Sequence, residues 1–557
     1  MVYNQKNQNG RSAYDGSVSF NTSGNPNSTG NAFADALLGN YRTYQEAQLD
    51  PIGYFRFHQY EAFVSDAWRV TDRLSIEAGL RYAWQMPTVT LGNNTSNFDM
   101  ALYNPSKVVT VLPNGTIVVG SGDRYNGLAK PGDVPSDQVA NVPNAASPAV
   151  AALPTASSRG YYQSQSLWAP RFSFAWKPFG NDTTAVRGGA GLFYDRPEGN
   201  LYFALVNNPP YSLSASYENG NLSNPAGGSA SAPVPWASMN ALDPNLKIPK
   251  VWNWSLGVQR ELGFWGLFAE ITYVGNKGLN LIRQPDINRP SFADLEANAV
   301  GAKANTNYLR PYQGYSNILM RLSDASSSYN ALQMFLSRRR GNLNFTLNYT
   351  YSRAWDNGSG NGDNLDTGAD WHDLAFNYGP SDNDRRHVFV STWTYRLPFW
   401  LNRQGVLGSV LGGWEVSGIT RFQSGAPFTV SGNTAIGSRR ADFTGGSEQL
   451  SNVGQLLANN SVAWLDATKF SAAPESRLGN SGRNAFYGPG LQQWDISLRK
   501  QFRLKGTTKL QFQADLFNAF NNLILRNPAT TVTNSDFGTI TSAAPLRNVQ
   551  IGLRFMF

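Results

Sequence analysis

Short segments in which apolar and polar residues alternate recur along most of the chain. Between residues 343 and 351, every odd-numbered position is leucine, phenylalanine or tyrosine, and every even-numbered position is asparagine or threonine. Successive side chains of a β-strand point to opposite faces, so this pattern predicts strands with one apolar and one polar face. Its recurrence predicts an all-β fold.

The predicted strands form pairs, and each pair is joined by a short turn. The alternation indicates about 14 to 16 strands in total. Six pairs are clear in the sequence: residues 57–70 with 73–84, 169–177 with 184–194, 252–258 with 268–274, 329–338 with 343–351, 387–397 with 414–423, and 494–502 with 510–516.

Long connections rich in glycine, proline, asparagine, serine and aspartate separate these pairs. They cover residues 87–165, 195–249, 277–327, 355–385, 425–489 and 521–545. Loops longer than about 12 to 15 residues are uncommon inside compact soluble domains. Barrels of the bacterial outer membrane combine short periplasmic turns with long extracellular loops. The two kinds of connection therefore predict an antiparallel transmembrane β-barrel in that membrane.

The final strand shows the same alternation and ends on an aromatic residue. Its polar or small positions are Gln550, Gly552 and Arg554, and its apolar positions are Val549, Ile551, Leu553, Phe555 and Phe557. An amphipathic last strand needs a neighbour, and in a barrel it pairs with the first strand while its apolar face meets lipid. The alternative is an edge strand of a soluble β-sandwich.

Six charged residues that alternate with apolar ones in the predicted strands fall on the polar face. They are Glu77, Arg81, Asp495, Arg499, Asp515 and Arg554. A basic side chain that faces lipid at mid-bilayer costs about 2–4 kcal/mol, so we expect this face to line the barrel interior. A polar interior implies water, a channel or a plug.

Composition agrees with a membrane barrel and excludes several other classes. The chain has no apolar run of about 18 or more residues, so no transmembrane helix is predicted. Aromatic residues make up 13% of the chain, which fits girdles at two lipid interfaces. The absence of cysteine excludes a disulfide scaffold and a Cys-ligated metal. The net charge is +8, but lysine and arginine are scattered, so we expect no binding to nucleic acid.

Few residues suggest a cofactor or catalytic chemistry. Asp363, Asp366 and Asp370 lie in a glycine-rich loop and could hold Ca²⁺, although a solvated surface loop is the simpler interpretation. The three histidines, His58, His372 and His387, lie in different segments and form no metal-binding motif. No nucleophile elbow or phosphate-binding loop occurs, so we expect no enzymatic activity and no cofactor.

Aromatic residues in the long loops have two possible roles. They could stack on sugars or planar ligands, or they could pack the loops against each other. The residues concerned are Trp236, Trp371, Trp464, Tyr308, Tyr312 and Tyr315.

Several short motifs resemble those of TonB-dependent outer-membrane receptors, and more narrowly the Oar-like branch of that family. The residues 518–522, Asn-Ala-Phe-Asn-Asn, resemble an element near the end of these receptors, and the Phe557 end resembles their barrel assembly signal, here Val549, Ile551, Leu553, Phe555 and Phe557. The motifs that resemble the narrower branch are residues 34–39, 63–68, 79–82, 379–387, 395–399, 482–484, 488–490 and 494–495.

This resemblance implies a 22-stranded barrel of which residues 1–557 supply the C-terminal, N-terminally incomplete portion. In the family a signal peptide, a regulatory-like domain and a plug precede the barrel, and none is recognisable in this chain. The implied partners are outer-membrane lipid, the barrel assembly machinery, a solute ligand, and the TonB-ExbB-ExbD complex acting through the plug region. A fragment without a plug would not transport by itself.

Three functional hypotheses follow. The first is the barrel of a TonB-dependent transporter that takes up a bulky, scarce solute. The second is a passive porin or surface adhesin without energy coupling. The third is a secreted, soluble β-protein, for example one that binds carbohydrate.

Overall fold

One β-sheet of 17 strands dominates the computed structural model of the protein. The structure describes residues 2–9, 16–47, 49, 51–142, 144–180, 182–197, 199–230, 233–301, 303–359, 373–400, 405–434, 437–450, 453–457, 460–474, 477–504 and 506–557.

Fourteen strands of this sheet pair antiparallel in chain order, each with the next. They are β1 Val2–Asn9, β2 Ile52–Thr71, β3 Leu74–Gln85, β4 Gln165–Trp176, β5 Thr184–Tyr194, β6 Lys250–Glu261, β7 Leu267–Arg283, β8 Ile318–Arg338, β9 Leu343–Asp356, β10 His387–Arg396, β11 Trp414–Gln423, β12 Leu491–Arg503, β13 Lys509–Phe517 and β14 Asn548–Met556.

The connections at the two ends of the strands differ in length, as the sequence predicts. At one end lie the turns that follow β2, β4, β6, β8, β10 and β12, and the longest of these turns covers residues 397–413. At the other end lie connections such as residues 86–164 and 424–490. The long end is therefore the extracellular end and the turn end is the periplasmic one. The predicted all-β antiparallel barrel architecture is confirmed.

The register keeps apolar residues on one face of the sheet from strand to strand. Because side chains alternate, a slip of one residue would reverse the faces of a whole strand. No such reversal occurs along the row that starts at Phe345 and continues through Trp393, Gly418, Ile496, Leu516 and Val549. Large side chains of this outer face are exposed, including Ile551 at 67% and Leu553 at 70%. Exposure of such residues in a continuous belt is what a lipid-facing surface requires.

Aromatic residues of the outer face gather at two levels. Near the extracellular end, Tyr60 stacks on Trp84 at 5.9 Å between ring centroids, and Tyr82 lies 4.7 Å from Trp168. Near the periplasmic end, Trp414 and Phe512 meet edge to face at 6.0 Å. These two levels fit the girdles expected where a barrel meets the two membrane interfaces.

Shorter elements are concentrated in the long connections. The helices are α1 Ala32–Leu38, α2 Pro148–Ala152, α3 Asn200–Phe203, α4 Phe292–Val300 and α5 Gly405–Leu411. The 3₁₀ segments are Met100–Leu102, Pro105–Lys107, Ser136–Asn141, Ala204–Asn207, Pro225–Gly227, Thr306–Leu309 and Ala467–Lys469. Within the part of the chain that the structure describes, no helix is long and apolar enough to cross a membrane.

Three short strands extend the large sheet: Val89–Thr90, Met239–Leu242 and Gly379–Pro380. A separate four-stranded sheet contains Ser17–Ser19, Asn40–Ala47, Ser214–Asn221 and Ser229–Ala230. Five two-stranded sheets pair Asn97–Phe98 with Leu128–Ala129, Pro427–Phe428 with Phe486–Tyr487, Ser431–Thr434 with Gly437–Arg440, Asp442–Phe443 with Phe470–Ser471, and Val462–Ala463 with Thr539–Ile540.

Two strands extend deep into a segment that the alternation predicts to be a loop. β7 continues to Arg283 and β8 already begins at Ile318, so both enter the predicted loop 277–327. Their extensions pair through shifts of register between Gly278 and Leu281 and between Leu281 and Arg283. Such irregularities break the period of two on which the prediction relied. The eight-residue β1 was not predicted, and the fourteen paired strands agree with the expected 14 to 16.

The expected pairing of the last strand with the first is not formed between the described residues. β14 pairs along its length with β13. β1 pairs with Ile52–Gln59 of β2, and this register leaves residues 60–71 of β2 paired with β3 alone. Because β1 has eight residues and β2 has twenty, the sheet keeps an open edge on this side.

The face assignment predicts opposite effects for adjacent substitutions in β9. Leu347 lies on the outer face opposite Leu336, whereas the Asn348 amide lies on the inner face and donates to the Val390 carbonyl. Leu347→Arg should cost about 2–4 kcal/mol if it faces mid-bilayer, and Asn348→Arg should be tolerated. Urea-dependent folding into vesicles, read by heat-modifiable migration in SDS gels, measures both variants. Equal tolerance would contradict the assignment.

Candidate functional site

The inner face of the first half of the sheet forms a concavity of about 850 Å³. Small residues, such as Gly79 and Gly189, leave room beside the larger polar ones. The polar lining is Glu61, Ser65, Glu77, Arg81, Arg171, Ser173, Asn253 and Ser255. These side chains belong to neighbouring strands and come together because the register keeps inner-face positions side by side.

Opposite charges alternate within this concavity. The Arg81 guanidinium donates to the Glu61 carboxylate, and the Arg171 guanidinium lies 4.6 Å from the centre of the Phe193 ring. The Ser65 hydroxyl donates to Glu77 over 3.3 Å. The surface is polar and close to balanced in charge, so it can bind solutes through hydrogen bonds without favouring one sign of charge.

A second concavity, of about 550 Å³, lies against the inner face of β9 to β13. Gln493 and Gln513 donate to the Asp495 and Asp515 carboxylates at 3.0 and 2.9 Å. These bonds run along each strand and fix the direction of the carboxylates.

The neighbouring carboxylate of Glu415 accepts hydrogen bonds from two guanidinium groups. Arg396 lies 3.1 Å away, and Arg499 also contacts it. All three side chains lie on the inner face. Six charged residues were predicted to face inward, and the register places all of them on this face: Glu77, Arg81, Asp495, Arg499, Asp515 and Arg554.

The long connections fold over the extracellular end around buried apolar residues. One cluster contains Phe98, Met239, Tyr315 and Met320 from the connections after β3, β5 and β7 and from β8. Another lies mostly within the connection after β11, and its buried members are Phe428, Val430, Ala441, Leu465, Phe470 and Phe486. The loops therefore form a packed cap with cores of their own, which we call the loop cap.

A buried ion pair joins the loop cap to the end of β9. The Arg483 guanidinium donates to the Asp356 carboxylate at 2.7 Å and to its backbone carbonyl at 2.9 Å. Both side chains are less than one-tenth exposed. The Ser359 hydroxyl adds a hydrogen bond to Asp356 at 2.8 Å. Burial of charges is tolerated here because each has several polar partners.

Two sequence motifs that are about one hundred residues apart meet at this point. The Asn484 amide donates to the Pro380 carbonyl at 2.9 Å and to Asp382 at 2.6 Å. The Tyr487 hydroxyl donates to Asp384 at 3.0 Å. A side chain at Gly379 would place its Cβ 2.4 Å from the Arg483 carbonyl oxygen, so the contact requires glycine there. The motifs at residues 379–387 and 482–484 thus hold together the connections that follow β9 and β11.

A second polar cluster organises the connection between β7 and β8. The Arg310 guanidinium lies 3.2 Å from the Asp286 carboxylate and donates to the Asn288 carbonyl at 2.8 Å. The Asn288 amide is completely buried and donates to three carbonyls, those of Tyr312, Tyr315 and Ser316. This cluster fixes the part of the loop that lies outside helix α4 and the 3₁₀ segment Thr306–Leu309.

Loop aromatics mostly serve packing. The Tyr315 hydroxyl donates to the Asn126 carbonyl at 2.8 Å, and the Trp464 indole donates to the Tyr487 carbonyl at 3.1 Å. Trp236 lies between Tyr125, at 5.5 Å, and the Arg124 guanidinium, at 4.0 Å. Tyr312 also packs against a buried cluster. Of the two remaining loop aromatic residues, Tyr308 is exposed and Trp371 lies outside the described residues.

Neither interpretation of the aspartate-rich loop, as a Ca²⁺ site or as a solvated surface loop, is tested by the structure. Asp363, Asp366, Asp370 and His372 lie outside the described residues. Among the residues that are described, no group of three or more potential ligands is arranged to hold a metal ion. His387 instead shares a 2.7 Å hydrogen bond with the Tyr349 hydroxyl in the extracellular girdle.

Sequence reasoning missed the residues that organise the loop cap. Arg483 and Asn484 were noticed only as part of a family motif, and Asp356 and Arg310 were not singled out. Their partners are distant in sequence, since Asp356 and Arg483 are 127 positions apart. A weak signal was present, because both motifs combine glycine with charged residues inside otherwise polar loops.

These features define a class of protein: an antiparallel membrane barrel wall with a lipid-facing outer surface, a polar inner surface and folded extracellular loops. The chain belongs to the outer membrane beta barrel domain family, whose sequence pattern matches residues 1–550. It is therefore a protein of the bacterial outer membrane. No curated protein matches the chain.

Solved structures with a similar arrangement are outer-membrane transporters and receptors. The outer membrane transporter YddB from Escherichia coli has a TM-score of 0.43 and 12% identity, covering 92% of this chain and 54% of that chain. The FrpB iron transporter from Neisseria meningitidis has a TM-score of 0.37 and 10% identity, covering 92% of this chain and 59% of that chain. The ferric yersiniabactin uptake receptor FyuA from Yersinia pestis has a TM-score of 0.38 and 9% identity, covering 93% of this chain and 48% of that chain. The chain spans about half the length of these proteins.

The buried pair predicts a large effect on the loop cap. Arg483→Met removes the main partner of Asp356 and should destabilise the cap by about 3–5 kcal/mol, because a buried charge loses its counter-charge. Arg477→Met is the matched control: its ion pair with Asp442 is half exposed and should contribute less than about 1 kcal/mol. Limited proteolysis of the loops measures both. Equal sensitivity of the two variants would contradict a special role of Arg483.

The Asp442 pair predicts a pH dependence of the same cap. Two hydrogen bonds from Arg477 hold the pKa of the Asp442 carboxyl below its ordinary value. The resulting stabilisation is present above the unfolded-state pKa of about 3.9 and is lost as the pH falls through the lower folded-state value. Proteolysis of the cap with an acid-active protease should therefore increase at low pH, and Asp442→Asn should flatten this increase. An unchanged profile would show that the pair does not contribute.

Proposed function

We propose that the chain forms the barrel wall of a TonB-dependent transporter that takes up a bulky, scarce solute across the outer membrane. The observation that carries the proposal is the polar inner face, which runs across the sheet beneath a folded extracellular loop cap. A lipid-facing surface explains membrane insertion alone. A polar interior combined with a cap suits a solute that is first captured outside and then passed inward.

The sequence motifs support the same proposal. They resemble the Oar-like branch of TonB-dependent receptors, and in the structure two of them hold the loop cap together through Asn484 and Asp382. The proposed partners are outer-membrane lipid, the solute, the barrel assembly machinery and the TonB-ExbB-ExbD complex acting through a plug region. Recognition of the last strand by the assembly machinery would use Val549, Ile551, Leu553, Phe555 and Phe557, and it needs no catalytic residue.

A passive porin or a surface adhesin is the second candidate. The observation that favours it is the charge balance of the inner face, where Glu61 is paired with Arg81 and Glu415 with Arg499. Such a wall admits small polar solutes without selecting one of them. A porin differs from the proposed transporter in needing no energy from the inner membrane.

Uptake measurements in the native host separate the two candidates. Cells lacking the gene and cells lacking TonB should fail to accumulate the same solute from a panel of complexed metals, glycans and peptides. The transporter proposal fails if uptake needs the gene but not TonB. Loss of cell adhesion without any change in uptake would favour the adhesin.

Filling the larger concavity should block transport. Gly79 faces this space, and the nearest atoms to a Cβ placed there lie at 3.4 Å, which is ordinary contact. Gly79→Trp should lower uptake of a bulky solute about tenfold or more, equivalent to about 1.4 kcal/mol or more. Ala78→Trp places the same ring on the outer face and is the matched control. Equal loss in both variants would indicate an assembly defect instead of a blocked path.

A further inference from the structure

The periplasmic connection between β10 and β11 carries an apolar surface that no barrel strand covers. Its helix α5 has the sequence Gly-Val-Leu-Gly-Ser-Val-Leu. Val406 is 79% exposed and Leu407 55%, and Val410 and Leu411 are exposed as well. At 100° per residue these four positions occupy an arc of about 140° on one side of the helix. The opposite side consists of glycine and serine.

The helix is attached to the lipid-facing side of the wall. The Trp414 indole donates to the Val410 carbonyl at 3.0 Å, and the Lys500 ammonium donates to the same carbonyl at 2.8 Å and also to the Gly412 carbonyl. Trp414 and Lys500 are opposite each other in the register, and Lys500 is in turn opposite Phe512. All three positions belong to the outer face, so α5 lies beside the wall at the level of the periplasmic aromatic girdle.

Lys500 is an unusual residue for this face, and the helix accounts for it. Only 2% of its surface is exposed, although it lies among the aromatic residues of the girdle. Its ammonium is 5.4 Å from the Trp414 ring and 5.0 Å from the Phe502 ring. The carbonyls at the end of α5 have no partner within the helix, and a cation at a helix C-terminus is favourable. Carbonyls and aromatic rings thus solvate the ammonium locally, which the membrane interior could not do.

The sequence of α5 is a poor helix former in water when it is isolated. Seven residues are too few for an isolated helix to be stable, and glycine is a poor helix former. An apolar surface on such a weak helix would expose both the side chains and the backbone to water. In a lipid environment the apolar side chains are no longer exposed to water, and the hydrogen bonds within the helix become stronger.

We propose that α5, together with the preceding Phe399 and Trp400, is an interfacial anchor that inserts into the periplasmic leaflet of the outer membrane. Phe399 is 55% exposed and Trp400 is 47% exposed, and their rings lie 6.0 Å apart. The occupant of this surface is phospholipid, because the surface continues the lipid-facing girdle at Trp414 without a break. The apolar side chains would reach about 5–10 Å below the headgroups, as in other interfacial helices.

A fluorescent probe on α5 tests this directly. The protein contains no cysteine, so a single introduced cysteine labels one position only. Leu407→Cys and Asn342→Cys carry the same environment-sensitive dye, the first on the apolar side of α5 and the second in the exposed turn after β8. The folded protein, verified by heat-modifiable migration, is placed in vesicles of phosphatidylethanolamine and phosphatidylglycerol with a quencher on the acyl chain near the headgroup.

The expected result is blue-shifted and quenched emission at position 407, with the position 342 probe unaffected. Val406→Cys repeats the measurement if the first variant does not fold. Emission at 406 and 407 that is water-like and unquenched would overturn the proposal and would point to a periplasmic protein on this surface instead of lipid. Quenching equal to that at 342 would overturn it too, since it would reflect only general proximity to the vesicle.

Lys500 is proposed as the positioning residue of this anchor. In the background of Leu407→Cys, Lys500→Met should increase the mobility of a spin label at position 407, because the carbonyls of Val410 and Gly412 lose the hydrogen bonds from Lys500. Lys509→Met is the control, since Lys509 lies on the inner face opposite Arg503. Unchanged mobility in Lys500→Met would show that Lys500 does not hold the helix, even if the quenching result stands.

Discussion

The fold depends on one constraint: hydrocarbon offers no hydrogen-bond partner to a polypeptide backbone. Each N–H or C=O group left unpaired in lipid costs several kcal/mol, so strands can cross a membrane only when neighbouring strands satisfy them. Thirteen antiparallel ladders meet this demand between β1 and β14. Because the backbone groups are paired with each other, the side chains can be apolar on the lipid face and polar on the inner face. The alternation in the sequence reflects this difference between the two faces.

The same constraint explains why the two ends of the strands differ so much from the wall. Outside the membrane, water or other loops can satisfy backbone groups, and regular pairing is no longer required. The loop cap uses side chains for this purpose, as Asn288 does with three carbonyls. At the periplasmic rim Lys500 serves the carbonyls that α5 leaves unpaired. Buried polar side chains thus appear where the ladder ends, and these are the places where function can be added.

The difference between the regular wall and the irregular connections also determines what could be predicted from the sequence. The face of Leu347 or Asp495 follows from a local period of two, which the ladder preserves from strand to strand. The ion pair of Arg483 with Asp356 depends on a contact across 127 residues, and no local pattern encodes it. The strand extensions through residues 277–327 were missed because register shifts interrupt the period. Helix α5 was missed because its glycines and its lack of a polar face hide the helical pattern.

The constraint also decides what must lie beside the two edges of the sheet when it is in lipid. Residues 60–71 of β2 run toward the periplasmic end, and β14 runs in the same direction. Direct pairing of these edges would be parallel, whereas each ladder between consecutive strands from β1 to β14 is antiparallel. An antiparallel partner for residues 60–71 would have to run toward the extracellular end, as β1 does beside the rest of β2.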